Sequence, residues 1–267
     1  MKYIDLFCGI GSFHLAMDKY NHECVFSCDI NPHVRKTYEI NHKMVPHGDI
    51  KQIHAETIPP HDILCAGIPC QSFSTIGLCS GFAQESGTMF DEVMRVVKHH
   101  KPKYVVLENV KGLTTINNGK YFNQILASLH AEGYQTSHRI LNAKHYGIPQ
   151  SRERIFIVAT LGEPVSLDFP HHKPCNLTEY LNVGEFERDT SYTIRCEGRY
   201  SKFEDKSHNW SKYMKDGRVY QLKLEDALRL QGFPENFHLS GHMTHQWRQI
   251  GNTIPTNLTE LVVSRLK

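Results

Sequence analysis

Lys2-Tyr3-Ile4-Asp5-Leu6-Phe7-Cys8-Gly9-Ile10-Gly11-Ser12-Phe13 opens as an apolar run, then empties into two glycines and the start of a helical pattern. A strand ending in glycines at a helix N-terminus lets backbone N–H groups approach a ligand, at the carboxyl edge where open α/β sheets bind. The third glycine of the dinucleotide fingerprint is missing, because His14 stands in its place. A nucleoside cofactor whose acidic end is a single carboxylate therefore suits the loop better than a pyrophosphate does. Asp29, at the end of the next apolar run, is placed to grip ribose hydroxyls. An ordinary tight turn is the structural alternative.

Outward from this stretch, short apolar runs alternate with helical patterns. Lys2–Phe7, Glu23–Cys28, Met44–His47, Asp62–Ala66, Tyr104–Leu107, Ser137–Leu141 and Arg154–Ala159 read as strands. Ser12–Lys19, Pro32 to about Asn41, Thr88–His100 and Tyr121–His130 read as helices. This alternation predicts an α/β fold with a doubly wound, mostly parallel sheet. After Thr160 the texture changes, with Pro164, Pro170, Pro174 and His171-His172 replacing the regular pattern. Residues 161–220 are expected to form a small loop-rich domain, and residues 1–160 plus 221–267 the larger one. Within the latter, Leu224–Leu230 reads as a helix closed by Gly232 and Pro234, and Thr253–Leu266 as a last amphipathic helix.

Composition narrows the classes. The chain has 267 residues, 40% hydrophobic and 22% charged, which is a globular balance. Its net charge of +2 neither requires nor forbids a nucleic-acid partner, because a basic groove fits within a nearly neutral whole. No run is long and apolar enough to span a membrane, and the first residues meet Asp5 and then glycines, unlike a signal peptide. Eight cysteines in a chain of this length do not read as a secreted disulfide scaffold, so an intracellular setting is expected. His238, His242 and His245 have ligand-like spacing, but Ser240 and Gly241 interrupt a helix there and no Cys-x-x-Cys pair exists. No metal site is expected.

The fourth strand runs into Gly67-Ile68-Pro69-Cys70-Gln71-Ser72-Phe73-Ser74. A cysteine straight after proline, at the mouth of the sheet and followed by small polar residues, is placed to act as a nucleophile. A buried structural thiol is the alternative, and Cys65 fits that description better. The next strand ends in Glu108-Asn109-Val110, which sets a carboxyl beside Cys70 across neighbouring strand ends. A capping or ion-paired glutamate is the alternative there.

With these residues in view, the chain resembles the DNA (cytosine-5)-methyltransferase family. The ordered motifs are Phe7–Gly11, Pro69-Cys70-Gln71, Glu108-Asn109-Val110, Gln150-Ser151-Arg152-Glu153-Arg154, Arg229-Leu230-Gln231-Gly232-Phe233-Pro234 and Gln249-Ile250-Gly251-Asn252-Thr253. The resemblance covers about residues 1–160 and 218–267. It implies the fold of S-adenosylmethionine-dependent methyltransferases and S-adenosylmethionine as methyl donor, leaving S-adenosylhomocysteine. It places Phe7 against the adenine, Gly9 and Gly11 at the methionine part, Asp29 on the ribose and Ile30 as an apolar wall where the family often has an aromatic. It matches Asp49 and Ile50 to the adenine edge. It assigns Asn252 and Thr253 to the last motif, whose helix packs beside the first and helps close the cofactor site.

The resemblance also implies a mechanism. Cys70 attacks carbon 6 of cytosine, which makes carbon 5 nucleophilic, while a protonated Glu108 neutralises charge at N3. Arg154, with Arg152 near it, binds the ring oxygen or a phosphate and helps hold the thiolate, a structural ion pair being the alternative. In duplex DNA the base must first be flipped out, and the loop Gln71–Glu85, with Gln71, Ser72 and Ser74, has the character of a closing lid. Residues 161–220 correspond to the family's target-recognition region. Arg195, Arg199, Lys202, Lys206, His208, Asn209, Trp210 and Lys212 offer groups for phosphates and base edges, a solvated surface being the alternative. The partner is then double-stranded DNA and the enzyme a monomer. A tRNA-methylating enzyme of the same fold is the nearest rival, but the Cys-Phe-Thr tripeptide of that branch is absent. A catalytically silent binding subunit usually lacks the cysteine or the glutamate, and both are present here. The missing third glycine disfavours a nucleotide-dependent dehydrogenase.

Overall fold

The computed structural model of the chain describes residues 1–68, 89–205 and 209–267. The larger part is an α/β unit in which β1 (Lys2–Leu6), α1 (Ser12–Lys19), β2 (Glu23–Cys28), α2 (Pro32–His42) and β3 (Ile63–Gly67) follow in order. Then come α3 (Met89–His100), β4 (Tyr104–Val110), α4 (Lys120–Ala131), β5 (Gln135–Asn142) and β6 (Glu153–Thr160). The strands form one six-stranded sheet in the order β2-β1-β3-β4-β6-β5. The first four are mutually parallel, and β6 runs antiparallel between β4 and β5. This is the doubly wound, mostly parallel sheet that the sequence pattern predicts.

Both faces of the sheet are covered, which is why its central strands read as unbroken apolar runs. Ile4, Leu6, Leu64, Ala66, Val105 and Leu107 face Val93, Val96 and Val97 of α3 and Ile125 and Leu129 of α4. On the other face, Tyr3, Ile63, Cys65 and Val106 pack with Phe13 and Met17 of α1 and with Leu258 and Val262 of the last helix, α8 (Thr256–Val263). α8 lies against α1, where the Ser12 and Thr259 hydroxyls meet at 3.1 Å.

Three elements differ from the sequence expectation. Residues 44–47 form no strand, and His47 makes only a single bridge to Cys28. Pro46 has no N–H to give a ladder, so pairing cannot spread along this segment. The last helix starts at Thr256 rather than Thr253, because Thr253 is extended and Pro255 biases the residue before it out of the helical region. Gly241, at φ +90°, precedes a helix instead of dividing one: α7 (Met243–Asn252) begins two residues later.

After β6 the chain carries α5 (Leu177–Leu181), the hairpin β7 (Lys212–Lys215) and β8 (Arg218–Gln221), then α6 (Leu224–Leu230) and α7. Leu177, Leu181, Ile194, Trp210, Tyr213 and Leu222 share one apolar cluster with Ala227 and Leu230 of α6 and Trp247 and Ile250 of α7. The loop-rich region therefore builds its core partly from residues beyond position 220.

Candidate active site

β1, β3 and β4 are adjacent and parallel, so the segments that leave their carboxyl ends emerge side by side along one edge. The β1 exit is the glycine loop. Phe7, Gly9 and Gly11 all have positive φ (57°, 54° and 91°), a sequence of left-handed residues that glycine makes accessible. The Cys8 N–H donates to the Cys28 carbonyl at 3.0 Å, tying the loop to the end of β2. The Gly9 N–H donates to Asp29 Oδ2 at 3.1 Å and the Asn31 N–H to Asp29 Oδ1 at 2.8 Å. Burial raises the Asp29 carboxyl above the ordinary range, and these two backbone bonds offset that only in part, leaving it raised. Each carboxylate oxygen retains a lone pair for a further donor such as a ribose hydroxyl.

Beside Asp29, Ile30 is 71% exposed, an apolar side chain turned to solvent at the mouth of the loop. Space over Gly9 is open: a Cβ there would meet nothing nearer than the Phe7 carbonyl at 4.0 Å. A cradle open at Gly9, an anchored acid and an exposed apolar wall fit a nucleoside cofactor. Gly11 differs, because a Cβ there would fall 2.2 Å from His42 Nε2. His14, at the place of the absent third glycine, is buried with its Nδ1 2.7 Å from the Tyr38 hydroxyl. Asp49 caps the short 3-10 turn Ile50–Gln52 by accepting from the Lys51 N–H at 3.0 Å. Ile50 buries its side chain in the core and its carbonyl already accepts from Arg95 and the Ile53 N–H, so its main-chain N–H is what it can offer a ligand.

The second group lies two strands away. Glu108 stands opposite Gly67 in the β3–β4 register. The Ile68 N–H donates to the Glu108 carbonyl at 3.1 Å, and the Asn109 side-chain amide donates to the Ile68 carbonyl at 3.1 Å. The chain is thus fixed on both sides of Ile68, two residues before Cys70. Cys70, Gln71, Ser72 and Ser74, with the rest of the expected lid, lie outside the described residues, as do Lys206 and His208. The Glu108 carboxyl is buried, and Arg154 Nε, from the neighbouring β6, reaches its Oε1 at 2.9 Å. Burial pushes the Glu108 pKa up and Arg154, then Arg152, draw it down; the net direction is upward.

Arg152 corrects the sequence expectation. It is fully buried, and its two terminal nitrogens donate to the carbonyls of Ile194 (2.6 Å), Gly251 (2.7 Å) and Thr253 (2.7 Å). A guanidinium so bound joins three chain segments rather than facing a substrate. Gln150 extends the joint: its amide donates to the Leu230 carbonyl at 2.6 Å, and its carbonyl oxygen accepts from the Ile194 N–H at 3.2 Å. Gln231 donates to the Ile250 carbonyl at 2.8 Å. At Gly251 a Cβ would sit 2.5 Å from the Cys196 backbone nitrogen, so only glycine permits the approach of segment 195–196. The Asn252 side chain accepts from the Cys196 thiol at 2.8 Å, and Thr253 is buried. Gln150, Gln231 and Gly251, motif members in the sequence, are thus residues of this joint. In the sequence they show only as two glutamines and a glycine that each follow an apolar residue, Pro149, Leu230 and Ile250.

The basic and aromatic set divides. Trp210 is 3% exposed, belongs to the core and donates its indole N–H to the Glu197 carbonyl at 2.7 Å, so it is not available to bases. Arg199 is half-buried, stacks over Trp247 at 4.6 Å and donates to the Leu222 carbonyl. Lys212 is tied to the Ser201 carbonyl at 2.5 Å. Arg195 and Lys202 are exposed. Among the described residues no helix is long and apolar enough to cross a membrane.

A family model for C-5 cytosine-specific DNA methylases matches residues 1–212 and 175–267. The type II methyltransferase M.DsaV of Dactylococcopsis salina is 35% identical over 302 residues, spanning 100% of this chain and 86% of its own length. M.HhaI of Haemophilus parahaemolyticus, also a type II methyltransferase, is 30% identical over 304 residues, with 98% and 93% covered. Among solved structures, the S. pombe Dnmt2 methyltransferase superposes with a TM-score of 0.74 at 20% identity, covering 100% of this chain and 98% of that one. At that identity the likeness speaks to the fold alone.

Proposed function

Because the chain belongs to the C-5 cytosine-specific DNA methylase family and is thereby a DNA (cytosine-5) methyltransferase, we propose that it works through Cys70 and Glu108 on a cytosine flipped out of a specific duplex sequence. Cys70 adds to carbon 6 as thiolate, forming the C–S bond while Glu108 gives its proton to N3. The ring is then an enamine, nucleophilic at carbon 5. Once carbon 5 carries the new methyl group, a base removes the carbon 5 proton, the C–S bond breaks, the C5–C6 double bond returns, Cys70 leaves as thiolate and N3 gives its proton back to Glu108.

S-adenosylmethionine, when bound, supplies an electrophilic methyl group on a sulfonium sulfur. Phe7, Gly9, Asp29, Ile30 and Asp49, with the Ile50 main chain, are the residues assigned to hold it. Asn252 and Thr253 adjoin segment 195–196 and are assigned to close the site. Arg154 holds Glu108 in place, and Arg152 is assigned to positioning rather than to the base. Residues 161–220 are assigned to target recognition, with Arg195 and Arg199 contacting DNA, and residues 1–160 plus 221–267 to catalysis.

The observation that carries this reading is the Glu108 carboxyl. It is buried, shifted toward its acid form and held by Arg154 at the edge where β3 ends, three residues before Cys70 in the sequence. Duplex DNA carrying 5-fluorocytosine tests it, since that ring has no carbon 5 proton to lose. With S-adenosylmethionine present, a covalent protein–DNA band is expected on a denaturing gel, and Cys70→Ala should abolish both the band and turnover. Turnover by the mutant, or no band despite activity on ordinary DNA, would refute the assignment. Bisulfite sequencing of the product reads the target sequence.

A further inference from the structure

The two glycines of the loop do different work. Over Gly9 the space is open, whereas the space a Gly11 side chain would need is filled by the imidazole of His42. From this geometry we infer that His42 is a positioning residue for the cofactor loop, and that position 11 is glycine to admit its ring; the inference rests on the cofactor assignment above.

His42 closes the last turn of α2, and its Nε2 lies 3.0 Å from the Ile10 carbonyl. A carbonyl only accepts, so Nε2 carries the proton and donates. Ile10 is buried between the two glycines, and the bond fixes the peptide joining Ile10 to Gly11, between the second and third of the loop's three positive-φ residues. Without the donor that carbonyl is left buried and unpaired, and the loop has cause to rearrange. The ring has little freedom of its own. It lies 4.3 Å from the His14 ring, 4.5 Å from Tyr38 and 6.0 Å from Phe237. Burial lowers the His42 pKa to about 4, which keeps the imidazole neutral under ordinary conditions. The other end of α2 begins beside Asp29, whose Oδ1 accepts from the Asn31 N–H. One helix thus bears on the cofactor site at both ends, through the acid that faces the ribose and through the peptide that shapes the loop.

Calorimetric titration with S-adenosylhomocysteine tests this on the full-length protein, with steady-state kinetics alongside. His42→Ala is expected to weaken binding roughly ten- to a hundredfold, the cost of one unpaired buried carbonyl. The loss should appear in the cofactor Kd and KM, with a smaller fall in kcat and an unmoved KM for DNA. His42→Gln, which carries an N–H at similar reach, should recover most of the affinity, and His42→Met, of similar bulk without a donor, should not. Equal affinities for the Gln and Met variants would overturn the inference even where the Ala variant fails to fold. A fall in kcat with unchanged Kd would overturn it too. Failure of the wild-type protein to bind S-adenosylhomocysteine would instead strike the cofactor assignment itself.

Discussion

Arg152 and Arg154 stand two residues apart in one motif, and the molecule puts them to opposite uses. Arg154 reaches the edge of the sheet and holds the Glu108 carboxyl at 2.9 Å. Arg152 turns into the joint between the sheet, segment 191–196 and the end of α7, and spends its terminal nitrogens on backbone carbonyls. The edge leaves a buried carboxyl with an upward-shifted pKa and an arginine as its counterweight, a poised arrangement suited to proton transfer. The joint leaves its guanidinium bound to three carbonyls, an arrangement suited to fixing geometry. The same side chain, two positions away, changes role because its partners come from different places in the fold.

Substitution at the edge is expected to cost turnover rather than stability. Glu108→Gln keeps the shape but cannot deliver a proton, so turnover should fall by ~10²–10⁴-fold, the usual worth of general acid catalysis. Methyl transfer to DNA in single-turnover experiments measures it. Stability by urea unfolding should change by no more than about 1 kcal/mol, because the carboxyl is already shifted toward its neutral form and the Gln carbonyl oxygen still accepts from Arg154 Nε. The pH dependence has a definite sign. Burial raises the Glu108 pKa, so the acid form persists to higher pH than in a free glutamate and the wild-type rate declines on the alkaline side of that value. The Gln variant should lose this decline. A variant that keeps both the rate and the alkaline limb would remove Glu108 from the chemistry.

The joint is expected to show the reverse. Arg152→Met leaves three carbonyls without their donor and should cost about 3–5 kcal/mol of stability, since each buried acceptor left unpaired costs roughly 1–3 kcal/mol. A lowered urea midpoint with an unchanged slope is the signature. An unchanged midpoint combined with a selective loss of turnover would mean that Arg152 belongs to the edge after all, and the contrast with Arg154 would fail.

The sequence carried the sheet and the edge further than the joint. β1, α1 and β2 were legible because both strands are largely apolar, as buried parallel strands are, and the glycines mark the exit of the first. Glu108 was legible because it ends the strand that follows the one before Cys70, and consecutive strands usually lie side by side. Met44–His47 misled because it is apolar in composition, while Pro46 denies it a ladder. The roles of Arg152, Gln150 and His42 were hidden because their partners, at Ile194, Gly251, Leu230 and Ile10, are set by tertiary packing and leave no period in the chain. Trp210 fell among the groups offered to phosphates and base edges for the same reason: composition shows an aromatic among cations, not that its indole lies in a core with Trp247.

The smallest effect belongs to the surface beyond the joint, where Arg195 and Arg199 repeat the contrast in weaker form. Arg195 is exposed at the segment whose backbone meets Gly251, whereas Arg199 is half committed to Trp247 and the Leu222 carbonyl. If both contact phosphate, Arg195→Ala should weaken duplex binding only several-fold and reduce the salt slope by about one, with S-adenosylhomocysteine affinity unmoved. Arg199→Ala should add a stability loss of roughly 1 kcal/mol, because its guanidinium also packs on an indole. Fluorescence anisotropy across a salt series reads the first and urea unfolding the second. Equal salt slopes for wild type and Arg195→Ala would take that residue off the DNA. A stability loss at Arg199 without any change in DNA affinity would place it, like Arg152, in the scaffold.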